Sequence, residues 1–126
     1  MAVRAQIHAR HNFRITKAEF SRDGEWLLTL GGNLGQQSIQ LADWKDEDIL
    51  TFRSIEEEQI HEIQFNPYNR REFCLAGKEI LRLYELSEHG LIVQEETRVP
   101  DHTFLAITYT SSVFGSDIES DVITGS

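Results

Sequence analysis

The chain has 126 residues, of which 40% are apolar and 26% charged, with 8 glycines and 2 prolines. This is the make-up of one ordinary folded domain rather than a disordered, collagenous or disulfide-built chain. Cys74 is the only cysteine, so no internal disulfide can form, and no Asn-x-Ser/Thr acceptor occurs. No apolar run approaches the ~18 residues of a membrane span, and the opening MAVRAQIHAR lacks the apolar centre of a secretory signal. Together these features lead to the expectation of a cytoplasmic protein. The net charge of −9 opposes general affinity for nucleic acid or an anionic membrane. Residues 1–22 carry +4 and residues 23–126 carry −13, a small basic lead on an acidic body.

Residues 1–14 are expected to form a strand ahead of an internal repeat. The repeat opens at ITKAEF (15–20) and the turn Ser21-Arg22-Asp23-Gly24. It continues through WLLTLGG (26–32), SIQLADW (38–44), the turn at 45–48 and ILTFRS (49–54). Forty-five residues after Ile15 the outline returns as IHEIQF (60–65), with Ile60 aligned to Ile15 and Phe65 to Phe20, followed by the turn Asn66-Pro67-Tyr68-Asn69. EFCLAG (72–77), ILRLYEL (80–86), the turn at 87–90 and LIVQEETRV (91–99) complete the second copy. A third copy begins at TFLAITYT (103–110) and ends at DVITGS (121–126). Alternating apolar and polar side chains between turn residues mark half-buried strands, and no segment has a helical period. Phe20 and Phe65, at one phase of the repeat, are expected to be equivalent core anchors.

Four short strands per unit describe a propeller blade, and a period near 45 residues gives 2.8 units in the chain. The fold class expected is all-β: four-stranded antiparallel blades of an incomplete propeller of about 2.5 to 3 blades. Its parts are a preceding strand (1–14), blade 1 (15–54), blade 2 (55–99) and half of blade 3 (100–126). Since propellers close with 4 to 8 blades, further blades or another chain are needed to cover the open edges.

The residues resemble WD repeats. Ser21-Arg22-Asp23-Gly24 followed by EWLLTLGG resembles that family's turn, strand and glycine passage, and SIQLADWK its third strand. His11 lies 33 residues before Trp44, where the family carries a Gly-His pair. In the second copy FNPYNRREFCLAG and EILRLYEL match a variant turn, with Tyr84 and Glu85 at the Trp-Asp positions. The family's buried polar network is incomplete: Ala42 stands at the Trp position of the first blade and Leu30 at its Ser/Thr position. Asp43 keeps the aspartate, and Thr124 matches the Ser/Thr position of the third blade. The double glycine with a long turn, the DWK and the FNPxN turn look most like the cilia- and flagella-associated WD-repeat proteins of the axoneme. The echinoderm-microtubule-associated-protein-like group comes second.

What the resemblance implies is a non-enzymatic protein–protein scaffold in a cytoskeletal assembly, the ciliary or flagellar axoneme, binding neither nucleic acid nor membrane and needing no cofactor. The alternatives are a generic WD-repeat adaptor for ubiquitin ligation, trafficking or chromatin, and a propeller enzyme or small-molecule-binding propeller. By resemblance one rim comprises 33–37, 55–59, 78–79 and 100–102, and the other 21–25, 45–48, 66–71 and 87–90. Loops carry contacts because strands only position them, and the contact candidates are Asn33, Gln36, Gln37, Tyr68, Arg70 and Arg71.

Other chemistries are weaker in the sequence. His8, His11, His61 and His102 have no cysteine partner and read as surface histidines rather than zinc ligands. Asp117-Ile118-Glu119-Ser120-Asp121 alternates carboxylates, yet its sixth position is Val122 instead of the glycine of a calcium loop, so a solvated loop is expected. Gly31-Gly32-Asn33-Leu34-Gly35 leads into a strand rather than a helix and lacks the Lys-Ser/Thr of a phosphate loop. Cys74 sits in an apolar run where thiols are inert, and Glu56-Glu57-Glu58 reads as a solvated acidic loop.

Overall fold

The computed structural model describes residues 15–33, 35–55, 58–114 and 117–125. Every regular element among them is a β-strand, and all pairings are antiparallel. The preceding strand expected at 1–14, with His8 and His11, lies outside the described residues. Two units divide the chain between Gln59 and Ile60.

The first unit holds β1 (Ile15–Phe20), β2 (Trp26–Gly31), β3 (Ser38–Asp43) and β4 (Asp48–Ser54), hydrogen-bonded in chain order as a meander. Its first turn is wired by the side chains the sequence places there. The Ser21 hydroxyl donates to Asp23 Oδ1 at 2.5 Å and accepts from the Trp26 amide at 3.0 Å, and Asp23 also accepts from the Glu25 amide. Gly24 takes a φ of 75°, the left-handed value a turn of this kind asks of glycine. Trp44 seals the same end: its indole N–H donates to the Gly24 carbonyl and its amide to the Glu25 carbonyl.

The second unit holds β5 (Ile60–Asn66), β6 (Asn69–Ser87) and β7 (Gly90–Thr103) in one sheet, and the hairpin β8 (Ala106–Phe114) and β9 (Asp117–Gly125). At about 3.3 Å per residue, a straight β6 would separate residues 71 and 86 by about 50 Å. Instead the Arg71 guanidinium donates to the Leu86 carbonyl at 3.3 Å, and the Phe73 and Tyr84 rings stack at 5.3 Å. β6 therefore doubles back at Lys78-Glu79, where Glu79 takes a φ of 61°. Its arms, 69–77 and 80–87, correspond to the two separate strands the sequence leads one to expect. The fold-back needs two residues here, where the corresponding connection in the first sheet spans 32–37.

Pairing in the two opening hairpins is the same. Ile15 faces Gly31 and Ile60 faces Gly77; Ala18 faces Thr29 and Ile63 faces Leu75; Phe20 faces Leu27 and Phe65 faces Phe73. The offset is 45 residues on the first strand and 46 on the second, and a bulge follows the first pair in both. The repeat seen in the sequence is thus a repeat of hydrogen-bond register.

Burial does not follow it. Phe65 is 2% exposed, edge-on to Phe73, whereas Phe20 is 53% exposed and meets Trp44 edge-on at 5.8 Å. The expectation that Phe20 and Phe65 are equivalent core anchors is wrong. The neighbours explain the difference: Phe65, Phe73 and Tyr84 form a row of rings, while the matching row in the first sheet runs Phe20, Leu27, Ala42, with too little bulk to enclose a phenyl ring. On the opposite face of the second sheet, Cys74 and Ala76 form a core with Phe104 and Ile107, flanked by Leu81, Leu83 and Tyr109. That face packs against β8, the strand next in sequence. Asp117–Asp121 belongs to β9 and is not the loop expected from its carboxylates.

Candidate protein-contact site

The first candidate loop is held by backbone. Gly32 has a φ of 97°, and a Cβ there would stand 2.3 Å from the Gln36 carbonyl oxygen, so only glycine fits. The Gln36 amide donates to the Asn33 carbonyl at 2.8 Å, and the Ile55 amide donates to the Gln37 carbonyl at 2.8 Å. The last bond ties Gln37 to Ile55, directly after the end of β4. Asn33 and Gln36 are exposed, but Gln37 is 3% exposed. Gln37 is corrected from contact candidate to interior support, because anchoring its carbonyl to Ile55 draws the residue inward. Glu58 is corrected as well: its amide donates to the Ile55 carbonyl and it is buried, unlike a solvated loop residue.

The second loop is held by side chains. Asn66 is buried, accepts the Tyr68 amide at 2.9 Å and donates to Glu72 Oε2 at 2.9 Å. Both ends of its amide are thereby satisfied, as a buried polar group requires. Asn69 accepts the Arg71 amide at 3.1 Å. These bonds present Tyr68, 45% exposed, at the tip, with Arg71 exposed beside it and Arg70 half-buried. The Arg71–Leu86 bond brings 66–71 next to 87–90, where the Ser87 hydroxyl donates to the Gly90 carbonyl and accepts the His89 amide.

An ion pair between the buried Arg82 and the exposed Glu96 was not foreseen. Arg82, 7% exposed, donates through Nε to Glu96 Oε1 at 2.7 Å and through Nη1 to the Tyr84 hydroxyl at 3.1 Å. Arg98 donates to the other Glu96 oxygen at 2.9 Å. These two guanidinium hydrogen bonds, Arg82's first, hold the Glu96 carboxyl below the usual carboxylate range. The available signal was parity: Arg82 alternates with the buried Ile80 and Tyr84, so its stem had to enter the sheet's inner face.

Among the described residues no group of three or more His, Cys, Asp or Glu side chains could hold a metal ion. His102 packs edge-on against Phe104 at 4.6 Å, and Cys74 is fully buried. No helix among them is long and apolar enough to cross a membrane. No protein-family model matches the chain, and no curated protein shows significant similarity to it.

Proposed function

We propose that this chain is a run of WD-repeat-like blades serving as a non-enzymatic protein–protein scaffold of the cytoskeleton, in the ciliary or flagellar axoneme. The observation that carries the reading is the recurrence of one hairpin register, with its bulge, at an offset of 45 to 46 residues. Repeated rigid sheets hold short turns at fixed spacing, which suits a surface that binds other proteins. Asn33 and Gln36 in one unit, and Tyr68 and Arg71 in the other, are the exposed side chains on internally braced loops. The axonemal assignment rests on the sequence resemblance alone.

Charge restricts the partner. The −13 body repels the acidic microtubule surface, so contact runs through other axonemal proteins rather than bare tubulin. The test is extraction and proximity labelling of the tagged protein in ciliated cells. Retention with detergent-resistant doublets, reduced by Tyr68→Ala and Arg71→Glu together, is expected. A diffuse cytosolic or nuclear location overturns the axonemal reading in favour of a general adaptor. Tight, salt-resistant pelleting with bare microtubules overturns the choice of partner.

A further inference from the structure

The second sheet ends on β7, and among the described residues no strand pairs with its outer side. The strand at the opposite end, β5, is largely buried, whereas residues 92–101 of β7 are all exposed. An exposed edge offers a row of backbone N–H and C=O groups to any other strand, and proteins guard against this with short edges, lysines, prolines and bulges. β7 carries two such guards. A bulge at Gln94 interrupts its ladder, since Tyr84 faces Val93 while Leu83 faces Glu95. Pro100, which has no N–H to donate, closes the other end. Between them lie Glu95, Glu96, Thr97, Arg98 and Val99, a regular stretch with no proline, glycine or lysine, centred on Thr97.

When the edges of two copies pair antiparallel about a two-fold axis normal to the sheet, one residue sits opposite itself and its neighbours match symmetrically around it. Charge selects that residue. With Thr97 on the axis, Glu96 of each copy lies opposite Arg98 of the other, and Glu95 opposite Val99. Moving the axis one residue back sets Glu96 against Glu96, and one residue forward sets Arg98 against Arg98; like charges directly opposite destabilise a pair. The register that charge selects is therefore the one the bulge and the proline frame. Glu96 and Arg98 share a face of the sheet, paired with Arg82 and Ile80 of β6, and are hydrogen-bonded to each other within the chain. A guanidinium has five donors, enough to serve a carboxylate on each strand. The net charge of −9 opposes indiscriminate contact between copies, so association needs a locally complementary seam of this kind.

We propose that β7 is the edge through which two copies of the chain pair, antiparallel and in register about Thr97, joining their three-stranded sheets into one continuous sheet. The dimer is a weak one: a seam this short, against the ~20 to 30 residues a side of a standard interface, suits a Kd of about 100 μM. This inference is independent of the scaffold reading, since it concerns one strand edge, whatever the protein binds elsewhere.

The test is sedimentation equilibrium of the full chain at concentrations spanning that Kd. A monomer–dimer equilibrium is expected. Arg98→Glu, which sets glutamates opposite one another on both sides of the axis, should weaken it at least about tenfold, while Arg98→Lys leaves it nearly unchanged. Far-UV circular dichroism checks that each variant keeps the β signature. Register is read separately by disulfide formation under mild oxidation, with the buried Cys74 out of reach. Thr97→Cys should link to itself, because directly opposed Cα atoms lie about 4.5 to 5.5 Å apart. Glu95→Cys and Val99→Cys should link when mixed but not alone, since each then stands about 13 Å from its own counterpart. A chain that stays monomeric at about 1 mM overturns the proposal. So does a dimer insensitive to Arg98→Glu, or one in which neither Thr97→Cys nor the mixed pair links.

Discussion

Truncating the two phenylalanines of the repeat should separate hydrogen-bond register from burial. Phe65 is 2% exposed and touches Phe73 with ring centroids 6.4 Å apart. Deleting a fully buried phenyl ring removes its transfer energy and leaves a cavity, together about 3 to 5 kcal/mol. Phe20 keeps about half of its surface in water, so Phe20→Ala should cost about 1 kcal/mol, the loss of a half-buried ring with no enclosed cavity. Urea titration followed by far-UV circular dichroism reads both variants, because Trp26 and Trp44 both lie in the first unit and would not report on Phe65. A small domain has only ~5 to 15 kcal/mol in reserve, so Phe65→Leu supplies a milder second measurement. Equal midpoint shifts for Phe20→Ala and Phe65→Ala would refute the argument that neighbouring bulk decides burial at this phase.

Gly32→Ala should destabilise more than Gly24→Ala. Both take positive φ, but a Cβ at Gly32 meets the Gln36 carbonyl while at Gly24 it meets nothing within 4 Å, so Gly24→Ala should cost only the strain of about 1 kcal/mol. Comparing thermal midpoints decides, and a larger loss at Gly24 would contradict the loop geometry. Glu96 makes stability depend on acid. Its folded pKa is lowered, so its contribution is complete above the ordinary glutamate value near ~4.3 and is lost as pH falls through the folded pKa. Glu96→Gln should flatten that part of the midpoint-versus-pH curve, and an unchanged acid limb would count against it. Asn66→Ala should cost about 1 to 3 kcal/mol by leaving the Tyr68 amide and Glu72 without their partner; a neutral result in urea titration would show that the second loop is not braced through Asn66.

Strand pattern and turn chemistry were legible because they are local. Short apolar runs between turn clusters located β1 to β5 closely, and Ser21-Arg22-Asp23-Gly24 and Asn66-Pro67-Tyr68-Asn69 marked turns whose side chains do bond as their types suggest. Side-chain environment was not legible where it depends on residues distant in sequence. Nothing local to Phe20 says that its cross-strand row continues with Leu27 and Ala42 rather than with two further rings. Gln37 looks like any polar loop residue until its carbonyl is seen bonded to Ile55, and Asp117–Asp121 looks solvated until β9 pairs with β8. The contact residues were named from loop position; Asn33, Gln36, Tyr68 and Arg71 are exposed, and Gln37 is buried.

The tight reversal at Lys78-Glu79 also bears on how the chain reaches this structure. Contacts between the arms of β6 close over few intervening residues, so little chain entropy is lost before Phe73 and Tyr84 can stack. A hairpin of this kind forms in about 1 to 10 μs, and its aromatic pair rewards closure early. In the first sheet the matching arms are separated by 32–37, and Leu27 and Ala42 offer no ring stack in return. The second sheet should therefore supply the folding nucleus, with transition-state structure concentrated around residues 73–84 and the first sheet consolidating afterwards.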